Sequence, residues 1–362
     1  MDIKELKILV TGATGFIGSR IVERLYFEYN NIARCLVRNC GKIASIARFK
    51  NEIAYGDLLD YNSLSKATKG IDVVLHCAYG NTSDNNLNSK INVDGTENLC
   101  RASLKNNVKR FIYLSTVEVY GKNRPSHVDE RTNTSYSGNS YADSKLEAEK
   151  ICLKYRKDKS LPIVILRPPV VYGPYAPVWT IGVVNRIQNK GFSISDKFNG
   201  LCNPLYIDDL VEAIFLSIKQ DNAVGEIFNI SSGEKLTWNE YYTKYNEILS
   251  MPPLKKINQK GLKIYEILKK ILNPFLKFLK LKFGDDILRL YYQMREKGTI
   301  PNLKTFLQKG SLLEDAYIYN CPSYYSIKKA KKKLGFQPNY KIDRGLKLVK
   351  QWLIHISQIS KY

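Results

Sequence analysis

Acidic residues are in short supply. The 362-residue chain has 34 Asp and Glu against 56 Lys and Arg, a formal net charge of +22. A chain this basic suits nucleic acid, a membrane surface or an anionic substrate. It also lacks any CxxC pair. Its cysteines (Cys35, Cys40, Cys77, Cys100, Cys152, Cys202 and Cys321) are odd in number and scattered. That argues against a zinc site or a disulfide framework and fits a reducing compartment. No stretch of about 18 uncharged apolar residues occurs, so no membrane span is expected. The start, MDIKELKILVTGATGFIG, lacks the basic flank and cleavage site of a secretory signal, so a cytoplasmic location is expected. There is no internal repeat.

What is present is globular. Hydrophobic residues make up 44% and charged residues 25%, which excludes a disordered or fibrous chain. The length admits two domains, or one large domain with a lobe. The basic excess is uneven: residues 251–310 hold 14 Lys and Arg against 4 Asp and Glu. Nearly half the net charge thus lies in one insert.

Apolar runs at 6–11, 33–38, 53–60, 72–79, 110–116 and 162–169 alternate with helical patterns at 16–29, 88–107 and 140–158. Alternation of this kind predicts βαβ units and a doubly wound parallel sheet. From 170 to 204 the prolines multiply and loops are expected. A turn and helix follow at 206–218 and a strand at 226–231. The insert 255–310 reads as basic and helical, and 324–356 as helix, Gly-Phe-x-Pro turn and helix. In GLKIYEILKKIL, Leu262, Tyr265, Leu268 and Leu272 form one stripe, the pattern of a packed helix, a lid or a membrane-surface helix.

Gly12, Gly15 and Gly18 sit between the first strand and the first helix. In that context glycines let the backbone turn tightly and bring a pyrophosphate onto the helix N-terminus. An acid ending the second strand would hold the ribose 2′-OH of NAD, whereas arginine suits the 2′-phosphate of NADP. The segment ARCLVRN offers Arg34 and Arg38 and no acid. The cofactor is NAD or NADP, with NADP favoured.

The run TGATGFIG resembles the signature of the extended short-chain dehydrogenase/reductase superfamily, which includes the NAD-dependent epimerases and dehydratases of sugar nucleotides. RPPVVYGP (167–174), NPLYIDDLVEAI (203–214) and FNISSGE (228–234) extend the resemblance over nearly the whole chain. It implies a nucleotide-binding domain at 1–169, completed near 203–231. The remainder, 170–362, is then mainly a smaller C-terminal substrate lobe carrying the basic insert. The motif assigns Gly12, Thr14, Gly15, Phe16, Ile17 and Gly18 to the cofactor, with Arg38 at its ribose. Asp57 and Leu58 match an Asp-Leu pair at the adenine, and Ala78 lies near the ribose. Asn92 matches a bridging asparagine. His76 is expected to be a packed core histidine.

In SYADSKLEAEK, Tyr141 and Lys145 are four residues apart, on one helix face. An ammonium beside the phenol favours phenolate, and Lys145 also suits the nicotinamide ribose. Aligning VYG on the family makes Thr116 the third catalytic residue, with Ser115 as the runner-up. Thr116-Val117-Glu118 replaces the Thr-Asp-Glu of the dehydratases, which argues against dehydration. The paired Asp208 and Asp209 lack partners at metal spacing, so no metal is expected; they are expected to cap a helix starting at Leu210.

These readings imply an NAD(P)-dependent epimerase or oxidoreductase acting on a hydroxyl or keto carbon, of a nucleotide sugar in surface polysaccharide synthesis. Two usual diphosphate ligands are missing: Pro169 or Val170 replaces an asparagine, and Cys202 to Pro204 an arginine. Arg186 and Lys197 are candidate substitutes. The same absences favour an alternative, an NADP-dependent reductase of an apolar alcohol or ketone; a non-catalytic dinucleotide sensor is the second alternative. A homodimer through 88–107 and 140–158 is implied by the family. No nucleic-acid partner is expected. The lysines and phenylalanines of 255–283 point to peripheral contact with an anionic membrane.

Overall fold

A computed structural model describes residues 1–188, 193–195, 199–257 and 316–359. The chain separates into two compact units. One comprises Met1–Thr180, Asn203–Lys235 and Ser323–Tyr362; the other comprises Ile181–Cys202 and Leu236–Pro322.

The first unit opens with strand β1 (Ile8–Thr11), helix α1 (Phe16–Tyr29), β2 (Arg34–Val37) and β3 (Glu52–Tyr55). Helix α2 (Tyr61–Ala67), β4 (Val73–His76), α3 (Asn85–Lys105) and β5 (Arg110–Leu114) follow. The short strand β6 (His127–Val128), α4 (Ser140–Lys159), β7 (Ile163–Arg167) and β8 (Val170–Tyr172) continue the unit. It is completed by β10 (Pro204–Tyr206), α6 (Ile207–Lys219), β11 (Ile227–Asn229), β13 (Tyr324–Tyr325) and a last helix, Ile342–Ile359. Seven strands form one sheet in the order β11-β7-β5-β4-β1-β2-β3, every pair parallel. This is the expected doubly wound architecture. The strands β1, β4, β5 and β7 are buried along their whole length, as uninterrupted apolar runs require when helices cover both faces. Leu9, Val74, Phe111 and Ile163 of the sheet pack with Leu64, Leu99 and Cys152 of the helices.

The second unit holds α5 (Gly182–Gln188), β9 (Ser193–Ser195), α7 (Trp238–Ile248) and β12 (Lys255–Ile257), with β9 and β12 paired parallel. Its described core is aromatic: the rings of Tyr241, Tyr242 and Tyr319 all lie within about 6 Å of Trp238.

Several expectations need correction. The region 170–204 is not mainly loop. It carries β8, α5, β9 and β10, too short for periodicity to reveal. Lys255–Ile257 is a strand rather than helix; 258–310 lies outside the described residues, as does the stripe at 262–272. Helix α6 begins at Ile207, and neither aspartate caps it. Asp208 pairs with Arg20 at 2.6 Å, while Asp209 accepts the backbone N–H groups of Asn339 and Tyr340.

A buried ion pair fixes α4 to the sheet. Arg167 of β7 donates to both carboxylate oxygens of Glu149 at 2.9 and 2.6 Å, and both side chains are almost fully buried. Breaking one side of such a pair strands a charge in the interior. Arg167→Met should therefore lower stability by about 3–5 kcal/mol, read by urea denaturation. A double variant with Glu149→Leu should recover most of that loss.

Candidate active site

The turn after β1 is closed by Gly15 N–H donating to Gly12 O at 2.9 Å. Gly12 adopts φ +68°, a left-handed conformation in which only glycine is unstrained. A Cβ on Gly12 would lie 2.8 Å from the backbone of Ala78, and one on Gly18 only 2.2 Å from Gly12 O. Strand, turn and helix thus approach too closely for any side chain at either position.

This turn forms one wall of a cavity of about 860 Å³. Gly12, Thr14, Gly15, Phe16, Ile17 and Gly18 line it, as do Arg38, Asp57, Leu58 and Ala78. Thr116, Tyr141 and Lys145 line it too. All the site residues expected from the sequence therefore border a single space.

The polar scaffold around it is specific. Asn92 donates to Ser144 Oγ at 2.8 Å and accepts from Gly80 N–H at 2.7 Å. It bridges the loop after β4 to α4 between Tyr141 and Lys145, as expected. His76 lies between Thr11 and Thr96, at 2.8 and 3.0 Å. Burial, with the Lys145 charge, holds its pKa down to about 3, so it stays neutral and structural. Lys145 Nζ donates to Leu114 O at 2.9 Å and stands 4.9 Å from the Tyr113 ring centre.

The phenol of Tyr141 differs from expectation. Desolvation, followed by Tyr79 and Glu118, pushes its pKa above the ordinary value; the Thr116 hydroxyl pulls the other way. The residue that favours phenolate here is Thr116; the Lys145 ammonium donates to the Leu114 carbonyl. Thr116 Oγ1 also accepts from Glu118 N–H. Arg124 grips both oxygens of Glu118 at 3.1 Å.

At the far end, Arg34 is not available to a ligand. It pairs with Glu52 and donates to the carbonyls of Ala67 and Lys69. Arg38 is exposed, 3.8 Å from Asp57. Asp57 itself accepts from Leu59 N–H at 2.8 Å, leaving its second oxygen toward Arg38. In the second unit, Arg186 donates to the hydroxyls of Tyr242 and Tyr319 and is committed to structure. Lys197 lies outside the described residues.

Sequence reasoning gave no role to Tyr79, whose ring meets Tyr141 edge-on at 5.9 Å. It also missed Asn39, Lys42 and Asn81, and the apolar wall of Val171 and Ala176–Trp179. Most of these lie in loops or in elements of six residues or fewer, too short for periodicity to mark a side chain's direction. Pro168 and Pro169, noted only for their sequence, complete that wall.

A family model described as the NAD dependent epimerase/dehydratase family matches residues 8–231. The chain belongs to this family. It is 29% identical to a UDP-glucose 4-epimerase of Vibrio cholerae over 68% of this chain and 76% of that one. It is 32% identical to a human dTDP-D-glucose 4,6-dehydratase over 64% and 70%. A crystal structure of UDP-glucuronic acid 4-epimerase from Bacillus cereus, with UDP-glucuronic acid and NAD, superposes with a TM-score of 0.70 at 22% identity, covering 97% of this chain and all of that one. Family membership makes the chain an NAD-dependent epimerase/dehydratase-type enzyme. No helix among the described residues is long and apolar enough to cross a membrane, and the same residues hold no metal-binding cluster.

The glycine approach fits a dinucleotide, since a backbone that excludes side chains is what a pyrophosphate needs. Lys145 carries a checkable pH signature. Burial lowers its pKa from 10.5 to about 8, so the ammonium is present below about pH 8 and lost above it. NAD⁺ affinity should fall as pH rises through 8 and be pH-independent there in Lys145→Met. The unfolded chain keeps this proton to about 10.5, so Lys145 makes stability rise between pH 8 and 10.5. The variant should lack that rise in its thermal midpoint.

Proposed function

We propose that the protein epimerises a hydroxyl-bearing carbon of a nucleotide-linked sugar through a transient ketone. The observation that carries this reading is that Thr116, Tyr141 and Lys145 line the same cavity as the glycine turn. Gly12, Gly15 and Gly18 would hold the pyrophosphate, and Lys145 the nicotinamide ribose. A bound nicotinamide ring supplies the hydride acceptor and donor. Tyr141 takes the substrate hydroxyl proton as the carbon is oxidised and returns it on reduction; Thr116 orients that oxygen. Val117 replaces the aspartate that dehydration would use as a further acid, which supports epimerisation over elimination. The epimerase and dehydratase relatives act on nucleotide sugars, and that class is the proposed substrate.

For the dinucleotide itself, NADP is favoured. Strand β2 ends at Val37 and is followed by Arg38 and Asn39 with no acid, and Arg38, Asn39 and Lys42 all line the cavity. NADPH should bind more tightly than NADH, and Arg38→Ala should remove that preference while leaving NADH binding nearly unchanged.

A second reading, reduction of an apolar alcohol or ketone, is supported by the wall of Pro168, Pro169, Val171, Ala176, Pro177, Val178 and Trp179. The lysines of 255–283, nearly all outside the described residues, support a proposed contact with anionic membrane. The family resemblance alone supports a proposed homodimer through α3 and α4.

One experiment separates epimerisation from reduction. The enzyme is incubated with a panel of nucleotide sugars, reading epimer formation and NAD(P)H absorbance together. Epimer formation without net absorbance change is expected, and Tyr141→Phe should lower it about 10²–10⁴-fold. Stoichiometric oxidation of NAD(P)H with an apolar ketone would favour the second reading instead.

A further inference from the structure

Three consecutive residues at the end of β5 carry polar atoms toward the cavity, and two are already engaged. The Leu114 carbonyl holds Lys145. The Thr116 hydroxyl accepts from Glu118 N–H and bears on Tyr141. Between them stands Ser115. Its backbone N–H is used in the sheet, donating to Leu166 O at 2.8 Å. Its side chain is not used: Ser115 is 3% exposed, lines the cavity, and its buried Oγ has no hydrogen-bond partner among the described residues.

A buried hydroxyl left unpaired costs about 1–3 kcal/mol. Such groups in folded proteins generally have a partner, supplied by protein, water or ligand. Ser115 borders the space where Lys145 would hold the nicotinamide ribose. Along extended backbone successive side chains alternate in direction, so Ser115 and the neighbouring Thr116, which bears on Tyr141, are not duplicates. The group nearest a ribose held by Lys145 is the nicotinamide ring, and its carboxamide both donates and accepts. A hydroxyl, which also does both, matches it.

We propose that Ser115 is a positioning residue whose hydroxyl hydrogen-bonds the nicotinamide carboxamide and fixes the orientation of the ring, while Thr116 serves the substrate oxygen. The proposal rests on the reading that the cavity holds a nicotinamide dinucleotide. It adds a division of labour between adjacent hydroxyls that otherwise compete for one role.

The test is calorimetric binding of NAD⁺ and of ADP-ribose, which lacks the nicotinamide, to wild type and Ser115→Ala. The expected result is a loss of about five- to tenfold in NAD⁺ affinity, the range of one hydrogen bond, with ADP-ribose affinity unchanged. The apo variant should melt no lower than wild type, because the change removes an unpaired buried hydroxyl. Equal loss for both ligands, or a lower apo midpoint, would make Ser115 structural and overturn the proposal. Unchanged NAD⁺ affinity with reduced turnover would make it a proton-handling residue and overturn it too. If wild type binds neither ligand, the dinucleotide reading fails and the proposal with it. If wild type binds both equally and Ser115→Ala changes neither, the dinucleotide reading survives and this assignment alone falls.

Discussion

The attachment of helix α4 to the sheet is the constraint on which the site depends. Three side chains within six residues make it. Ser144 accepts from Asn92, Lys145 donates to the Leu114 carbonyl, and Glu149 is paired with Arg167. Each contact reaches a different element, so α4 can neither rotate nor slide without breaking one of them. Tyr141, one turn earlier, is positioned as a consequence. Its neighbours Tyr79 and Thr116 come from the ends of β4 and β5, the parallel strands beside the topological switch, where doubly wound folds bind ligands.

Local surroundings set the protonation of these groups, with His76 and Lys145 buried and Tyr141 40% exposed to the cleft. Desolvation lowers His76 and Lys145 and raises Tyr141. Near neutral pH the residues beneath the cavity are therefore a neutral imidazole, an ammonium held by a carbonyl, and an un-ionised phenol. Glu118, clamped by Arg124, adds a negative charge that opposes phenolate. A phenol in this setting needs a further positive charge to release its proton. A bound oxidised nicotinamide ring would supply one.

Much of this was legible in the sequence because some requirements are local. Gly12 and Gly18 are demanded by backbone contacts under 3 Å, and only one residue type satisfies them. Tyr141 and Lys145 are one helical turn apart, a spacing visible without any structure. The central strands are unbroken apolar runs, the pattern of a doubly covered parallel sheet. What escaped notice depends on distant pairings. Asp208 and Asp209 looked like caps because carboxylates at a helix start usually are, yet their partners are Arg20 and the backbone at 339–340. Arg34 and Arg38 were both noted beside the cofactor and only Arg38 was assigned to it; Glu52 and the end of α2 engage Arg34. The strands of 170–206 are three residues long, below the length at which alternation can be read. Aligning VYG ranked Thr116 above Ser115, but both are hydroxyls at a strand end, and only the structure shows that Thr116 Oγ1 is engaged while Ser115 Oγ has no partner among the described residues.

The central claim is that Tyr141 is the proton carrier and that its acidity is governed by its surroundings in this cleft. Titration of the phenol by ultraviolet difference spectroscopy, with Tyr141→Phe subtracted from wild type, addresses it directly. The apo enzyme should show Tyr141 ionising above its ordinary value near 10, and saturation with the oxidised dinucleotide should move that ionisation downward. A Tyr141 phenol that titrates at or below its ordinary value in the apo enzyme, or that ignores the dinucleotide, would contradict the account.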